Sequence, residues 1–175
     1  MICLLLVSMG CESYQLARTA NSLAPMPDGR VFPAKPKFTV LPEPVANGAG
    51  IDFEAVYYLD HRTLPGVSSD GGSYLRFWPD GRVMEQFAGA KPTATDADSF
   101  YGAWMGYYRI EEGKLEIELF APKLSDYRWT YWRVEAVLEG DLIRSNQEEI
   151  NRRVKTIDRS YFKLAVPGMK RMPDW

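Results

Sequence analysis

The residues of this chain that could carry chemistry are few, and most stand alone. The sole histidine, His61, is followed by Arg62 and a segment from Thr63 to Gly72 with the composition of a loop. An imidazole works as a general base only beside a nucleophile and an orienting acid. The sequence places no nucleophile beside His61, so the expectation is a surface residue, and a hydrolase would need His61, an acid and a nucleophile to meet in one cleft. Asp96 and Asp98 lie in the polar stretch Ala88 to Ser99. Two carboxylates could share a cation, yet without further oxygen ligands they make a poor calcium site. Glu116 and Glu118 share one face of a strand, whereas glycosidase carboxylates flank a bond from opposite sides of a cleft. Pairing with arginine is the better account of them. No zinc-protease helix, phosphate-cradling glycine loop or nucleotide-binding fingerprint is present. No catalytic residue and no cofactor is therefore expected.

The elements that must position any site are strands. From Ser73 to Val83 apolar and polar residues alternate around Pro79-Asp80-Gly81. Proline presets the second position of a type I turn, aspartate suits the third, and glycine accepts positive φ. That predicts a hairpin with Phe77 opposite Val83. A second hairpin is expected from Met105 to Ala121 about Glu112-Gly113. It pairs Ile110 with Leu115 and Tyr108 with Ile117 on one face, and Arg109 with Glu116 and Tyr107 with Glu118 on the other. A slip of one residue would ruin both faces. A third, Tyr127 to Asn146, turns at Glu139-Gly140-Asp141. An opening strand, Phe53 to Leu59, and a final one, Ile157 to Val166, complete about eight strands, with Gln147 to Thr156 read as a polar connection.

The fold class is all-β: an antiparallel meander, expected to close as a small up-and-down barrel, with a curled sheet plugged by a helix as the alternative. Closure removes exposed edges, and about eight strands suit a barrel that holds one small ligand. The architecture resembles that of the lipocalins. Gly102-Ala103-Trp104 sits mid-chain, where that family does not place its glycine-tryptophan motif, so the resemblance implies architecture only.

Each hairpin has an aliphatic face and an opposite face rich in rings and guanidinium groups. Tyr74, Arg76 and Trp78 lie on the second face in the first hairpin, Tyr107 and Arg109 in the next, and Tyr127, Trp129, Tyr131 and Arg133 in the third. Aromatic residues and arginine are concentrated at binding surfaces, although cross-strand pairs stabilise sheets without any ligand. With the aliphatic face inside, the aromatic face could dock a protein or glycan. With the aromatic face inside, it could grip an amphipathic or anionic small molecule. The leading expectation is a non-catalytic binding module using the aromatic and arginine face. Its rival is a carrier of a small apolar or amphipathic ligand in the lumen.

Composition agrees with a single β-rich domain. Of 175 residues, 13% are aromatic, with ten tyrosines and five tryptophans, which favours pleated surfaces. A net charge of −2 gives no general pull toward nucleic acid. Arg152, Arg153, Lys155, Lys170 and Arg171 form a basic patch that could rest on anionic head groups, but Glu148, Glu149 and Asp158 are interspersed and suggest a solvated face. No run of eighteen apolar residues exists to span a membrane as a helix.

The two cysteines, Cys3 and Cys11, fall in the opening run Met1 to Cys11, which reads as the end of a secretory signal. Val7-Ser8-Met9-Gly10-Cys11 resembles the lipobox of bacterial lipoproteins, with serine where leucine is commoner and no Lys or Arg preceding it. The resemblance implies cleavage before Cys11, a lipid on that cysteine, membrane attachment and residence in the cell envelope. Behind it, six prolines between Pro25 and Pro44 hold the chain extended. The expected organisation is a signal peptide over residues 1–10, a lipidated Cys11 with a proline-rich tether over 11–50, and the barrel over 51–175. An ordered arm packed through Phe32 and Phe38 is the alternative for the tether.

Overall fold

The computed structural model describes residues 23–25, 31–45, 50–64, 70–122, 129–150 and 153–175. The short strands β1 (Leu23–Pro25) and β2 (Val31–Pro33) pair antiparallel. Eight further strands follow: β3 (Ala55–Asp60), β4 (Gly72–Phe77), β5 (Arg82–Ala88), β6 (Trp104–Glu111), β7 (Lys114–Pro122), β8 (Trp129–Glu139), β9 (Leu142–Ile150) and β10 (Arg153–Ala165). Each pairs with the next in sequence, and β10 returns to β3, so the meander closes as a barrel. Among the described residues a 3-10 turn at His61–Thr63 and the five-residue helix α1 (Ala94–Asp98) interrupt the β-structure.

The hairpins follow their turn residues. Phe77 pairs with Val83, and Gly81 closes the turn at φ +83°. Glu112 and Gly113 both take the left-handed region, at φ +52° and +79°, as a two-residue type I′ turn requires. Arg109 faces Glu116 and Tyr107 faces Glu118, as the sequence predicts. The opening strand begins two residues later than expected, and the segment Gln147 to Thr156 is corrected from a polar connection to strand over most of its length. The reason lies in two register shifts, one beside Glu135 and Ala136 and one between Thr156 and Arg159. A bulge adds a residue to one strand, so the two-residue period stops there although the ladder continues.

Closure puts the aliphatic face inside. Thr130, Trp132, Val134, Ala136 and Leu138 face the interior, where Ala136 and Val134 meet Leu115, Ile117 and Leu119. Near the tight turns the barrel is filled by Tyr57, Phe77 and Tyr108, which meet edge to face at 5.6 and 4.9 Å. Val45, Ile51 and Phe53 pack against that end, and the Val45 amide donates to the Pro79 carbonyl at 2.8 Å.

Two segments cover the outer, aromatic face. The chain around Phe38 lies on β6 and β8, its ring 4.8 Å from Tyr107 and 4.9 Å from Tyr131. The Glu118 carboxylate accepts hydrogen bonds from the amides of Thr39 and Val40 and from the Thr39 hydroxyl, at 2.5, 2.8 and 3.1 Å. Val40 is buried. Residues 31–45 thus pack on the barrel as an arm; residues 1–22, with Cys11, lie outside the described residues. Past β10, the C-terminal segment folds over β4, where Trp175 meets Trp78 at 5.5 Å and Phe100 at 5.4 Å.

Two outcomes follow. A Cβ at Gly106 would stand 1.8 Å from the Glu118 carbonyl oxygen, so Gly106→Ala should lower the free energy of unfolding by about 3 kcal/mol, read from urea denaturation. Glu118→Ala leaves two amides without their acceptor. Limited proteolysis should then cut within residues 31–45 much faster than in the parent, while the barrel core stays protected.

Candidate functional site

The structure divides the sequence-predicted binding residues into three groups, each with partners inside the chain. Arg76 and Trp78, 4% and 3% exposed, lie under the C-terminal segment. The Arg171 carbonyl accepts from Arg76 Nη2 at 2.9 Å and from the Trp78 indole at 3.2 Å. Tyr107 and Tyr131 lie against the arm, with Tyr131 also accepting from the Lys37 amide at 2.9 Å. Arg109 and Arg133 grip the Glu116 carboxylate from two sides, and Trp129 stacks on Phe120 at 5.3 Å. Tyr127 lies outside the described residues. Asp96 and Asp98 do not face a shared cation. Asp96 caps α1 with Thr93, while Asp98 accepts from Arg76 and from the amides of Lys170 and Arg171. Among the described residues no group of three metal-ligating side chains exists.

A second constellation lies inside the barrel, at the end away from the tight turns. Tyr161 on β10 donates from its hydroxyl to Glu85 Oε1 on β5 at 3.2 Å. Strands β3 and β4 separate these two, so the bond crosses the interior. Ser73 hydrogen-bonds to Glu85 as well, and the Arg159 guanidinium, on the same strand face as Tyr161, donates to the tyrosine hydroxyl. The result is a polar bar across the barrel: Arg159, Tyr161, Glu85, Ser73.

Beyond the bar, toward the loops, the wall is made of rings. Trp104, directly opposite Glu85 in the ladder, meets Phe87 at 4.9 Å and Trp132 at 6.0 Å, and Phe87 meets His61 at 5.7 Å. Phe87 is 53% exposed although it is on the inward side of its strand, so the ring row opens to solvent there. Two buried polar atoms in this interior, Trp132 Nε1 and Ser145 Oγ, have no hydrogen-bond partner among the described residues. Such atoms cost free energy unless something bonds to them.

Electrostatics ties the cluster together. Burial pushes the Glu85 carboxyl above the ordinary carboxylate range, against the opposing pull of Arg159, Ser73 and Tyr161. Burial and the neighbouring Glu85 push the Tyr161 hydroxyl up. Burial, helped by the Arg159 charge, lowers His61. The acid, the phenol and the imidazole are all moved toward their neutral forms, and Arg159 acts on each of them. Among the described residues the geometry offers hydrogen bonds and the Arg159 cation beneath an aromatic wall, and no activated nucleophile.

Sequence reasoning missed Glu85, Arg159, Tyr161 and Ser145. The available signal was a glutamate between Val83 and Phe87 on one strand face. Met84 on the opposite face hides it, because both faces of β5 then carry apolar residues. Comparison with known protein families, curated proteins and solved structures found no match to this chain.

The Glu85 carboxyl gives a prediction with a definite sign. The unfolded chain releases this proton near the ordinary glutamate value of 4.5, while the fold retains it to higher pH. Its contribution to stability is therefore full below pH 4.5 and falls as pH rises through the folded value. Relative to Glu85→Gln, the parent should lose stability steadily as urea denaturation is repeated from pH 4.5 upward. A pH-independent difference would show that Glu85 ionises as easily in the fold as in the open chain.

Proposed function

We propose that the protein is a non-catalytic carrier, holding one small amphipathic ligand inside the barrel between the Glu85–Tyr161 bar and the loop end. The observation that supports this reading best is the pair of unpartnered buried atoms, Trp132 Nε1 and Ser145 Oγ, in an interior that combines a ring wall with a polar bar. A concave, mostly apolar site with a few convergent polar groups is the usual form of a small-molecule site. Docking of a protein or glycan on the outer face is the second reading. It draws on the cleft beside Arg109, Lys114, Glu116 and Glu135, where the arm and C-terminal segment do not supply the lining. Much of the aromatic area that motivates it is occupied within the chain, so the interior is favoured.

The lipobox resemblance at Val7 to Cys11 supports placing this carrier in a bacterial envelope, held by a lipid on Cys11. Native mass spectrometry of the protein extracted in detergent from its own envelope reads both proposals. The expected species begins at Cys11, carries acyl groups, and is heavier than the lipidated chain by one small molecule. Lipidated protein with nothing bound would overturn the carrier reading, and an unacylated chain would overturn the anchor.

A further inference from the structure

We propose that the ligand is an uncharged molecule with an apolar body and a carbonyl-type oxygen, which accepts a hydrogen bond from the Trp132 indole while the body lies against Trp104 and Phe87. This rests on the carrier reading above and adds the chemistry of the bound molecule.

Trp132 faces the interior from β8, its ring 6.0 Å from Trp104, which in turn meets Phe87 at 4.9 Å. The residue is 7% exposed, and its Nε1 has no acceptor among the described residues. A buried donor without an acceptor costs free energy that a ligand oxygen would recover on binding. An indole N–H can only donate, so it selects an acceptor. Ser145 stands on the neighbouring strand β9, across the ladder from Ala136, with its hydroxyl also unbonded among the described residues. A hydroxyl turns to donate or to accept, so Ser145 tolerates a second polar group without deciding its type. Trp132 therefore sets the sense of the site.

The same interior disfavours charge. Trp104, beside Trp132, is the ladder partner of Glu85, which puts the indole near the level of the polar bar. Burial is the largest influence on Glu85, Tyr161 and His61, and it moves each toward its neutral form. Glu85 is held there although Arg159 pulls the other way. Arg159 bonds the Tyr161 hydroxyl within that bar, and the proposed site takes no contact from it. A ligand carboxylate or ammonium would lose its water at this level and incur the same penalty, whereas a carbonyl loses far less. The ring row supplies apolar area for the body, with Phe87 marking the exposed side.

Two isosteric sets test this at pH 7: 2-octanone, 2-methyl-1-octene and heptanoate, then acetophenone, α-methylstyrene and benzoate. With a ketone at saturation, the Trp132 indole N–H resonance should lie further downfield than with the matching alkene, read from nitrogen–proton correlation spectra. By titration calorimetry, the ratio of ketone to alkene affinity should fall about five-fold in Trp132→Phe in at least one set, and each ketone that binds should do so about ten-fold tighter than its carboxylate. Circular dichroism checks that the variant is folded; if it is not, the resonance shift in the parent decides. An indole resonance no different between bound ketone and alkene, an unchanged ratio in the folded variant, or tighter binding of the carboxylate overturns the uncharged acceptor while leaving a carrier. Failure of all six compounds to bind overturns the carrier reading together with it.

Discussion

Pairing of β10 with β3 gives every strand two neighbours and divides each strand's residues between an inside and an outside. The division is all-or-none, because the side-chain period of a strand is two. Once the ladder closes with Ala136, Ile117 and Tyr108 inward, Arg133, Glu118 and Tyr107 must face out. The interior of an eight-stranded barrel is only wide enough for side chains or one small ligand. Its content is therefore set by a few inward positions per strand, and a change of type at one level changes the character of a whole cross-section.

The outward positions create a second problem, which the ends of the chain solve. A row containing Tyr74, Trp78, Met84, Tyr107 and Tyr131 would be a large exposed apolar patch, and such patches aggregate or recruit partners. Here the arm and the C-terminal segment, the latter together with Ala97, Phe100 and Ala103, cover it. Both are tied by polar bonds to a carboxylate at the edge of the apolar contact: Glu118 takes the amides of Thr39 and Val40, and Asp98 takes those of Lys170 and Arg171. Burial of the rings supplies most of the stabilisation, of the order of 2 kcal/mol for each large side chain, and the directional bonds fix where each segment lies. Aromatic and arginine enrichment on a strand face is thus satisfied within the chain before any partner is invoked.

These two constraints explain what could be read in the sequence. The second hairpin is legible in register because turn residues and both faces agree, in Glu112-Gly113 with its Arg109–Glu116 and Tyr108–Ile117 pairs; the first gives its Phe77–Val83 pair and the third its turn. Strand alternation says which residues share a face; it does not say which face closes inward, so the choice between surface and lumen needed the closed ladder. Prolines suppress ladder pairing and leave no period, so the sequence predicts a tether there, although Val40 is buried and the Phe38 ring packs on Tyr107 and Tyr131. The second half of β9 and the start of β10 were lost to bulges. Glu85 is hidden because Met84 is apolar and buried on the outer face in a cluster with Ala97, Phe100 and Val166, which erases the alternation that would mark a charged residue pointing inward.

The two halves of the interior differ in a way that stability alone does not require. Near the tight turns, Tyr57, Phe77, Tyr108 and their aliphatic neighbours fill the barrel, and the Tyr108 hydroxyl finds the Trp78 carbonyl at 2.8 Å. Toward the loops, the same inward positions carry Ser73, Glu85, Ser145 and Arg159. Replacing a buried ionisable network by apolar side chains of similar volume is often neutral or stabilising, and the filled half of this barrel shows that such packing fits its geometry. A carboxyl moved toward its neutral form by burial, and a hydroxyl and an indole N–H left unbonded, are costs concentrated in one cross-section. Unrelieved polar atoms scattered through a core would suggest imperfect packing. Arg76 Nε, Arg133 Nε and Trp175 Nε1, which also lack a partner, lie on the outer face, while Trp132 Nε1 and Ser145 Oγ stand inside with a wall of rings and have the composition of a binding site.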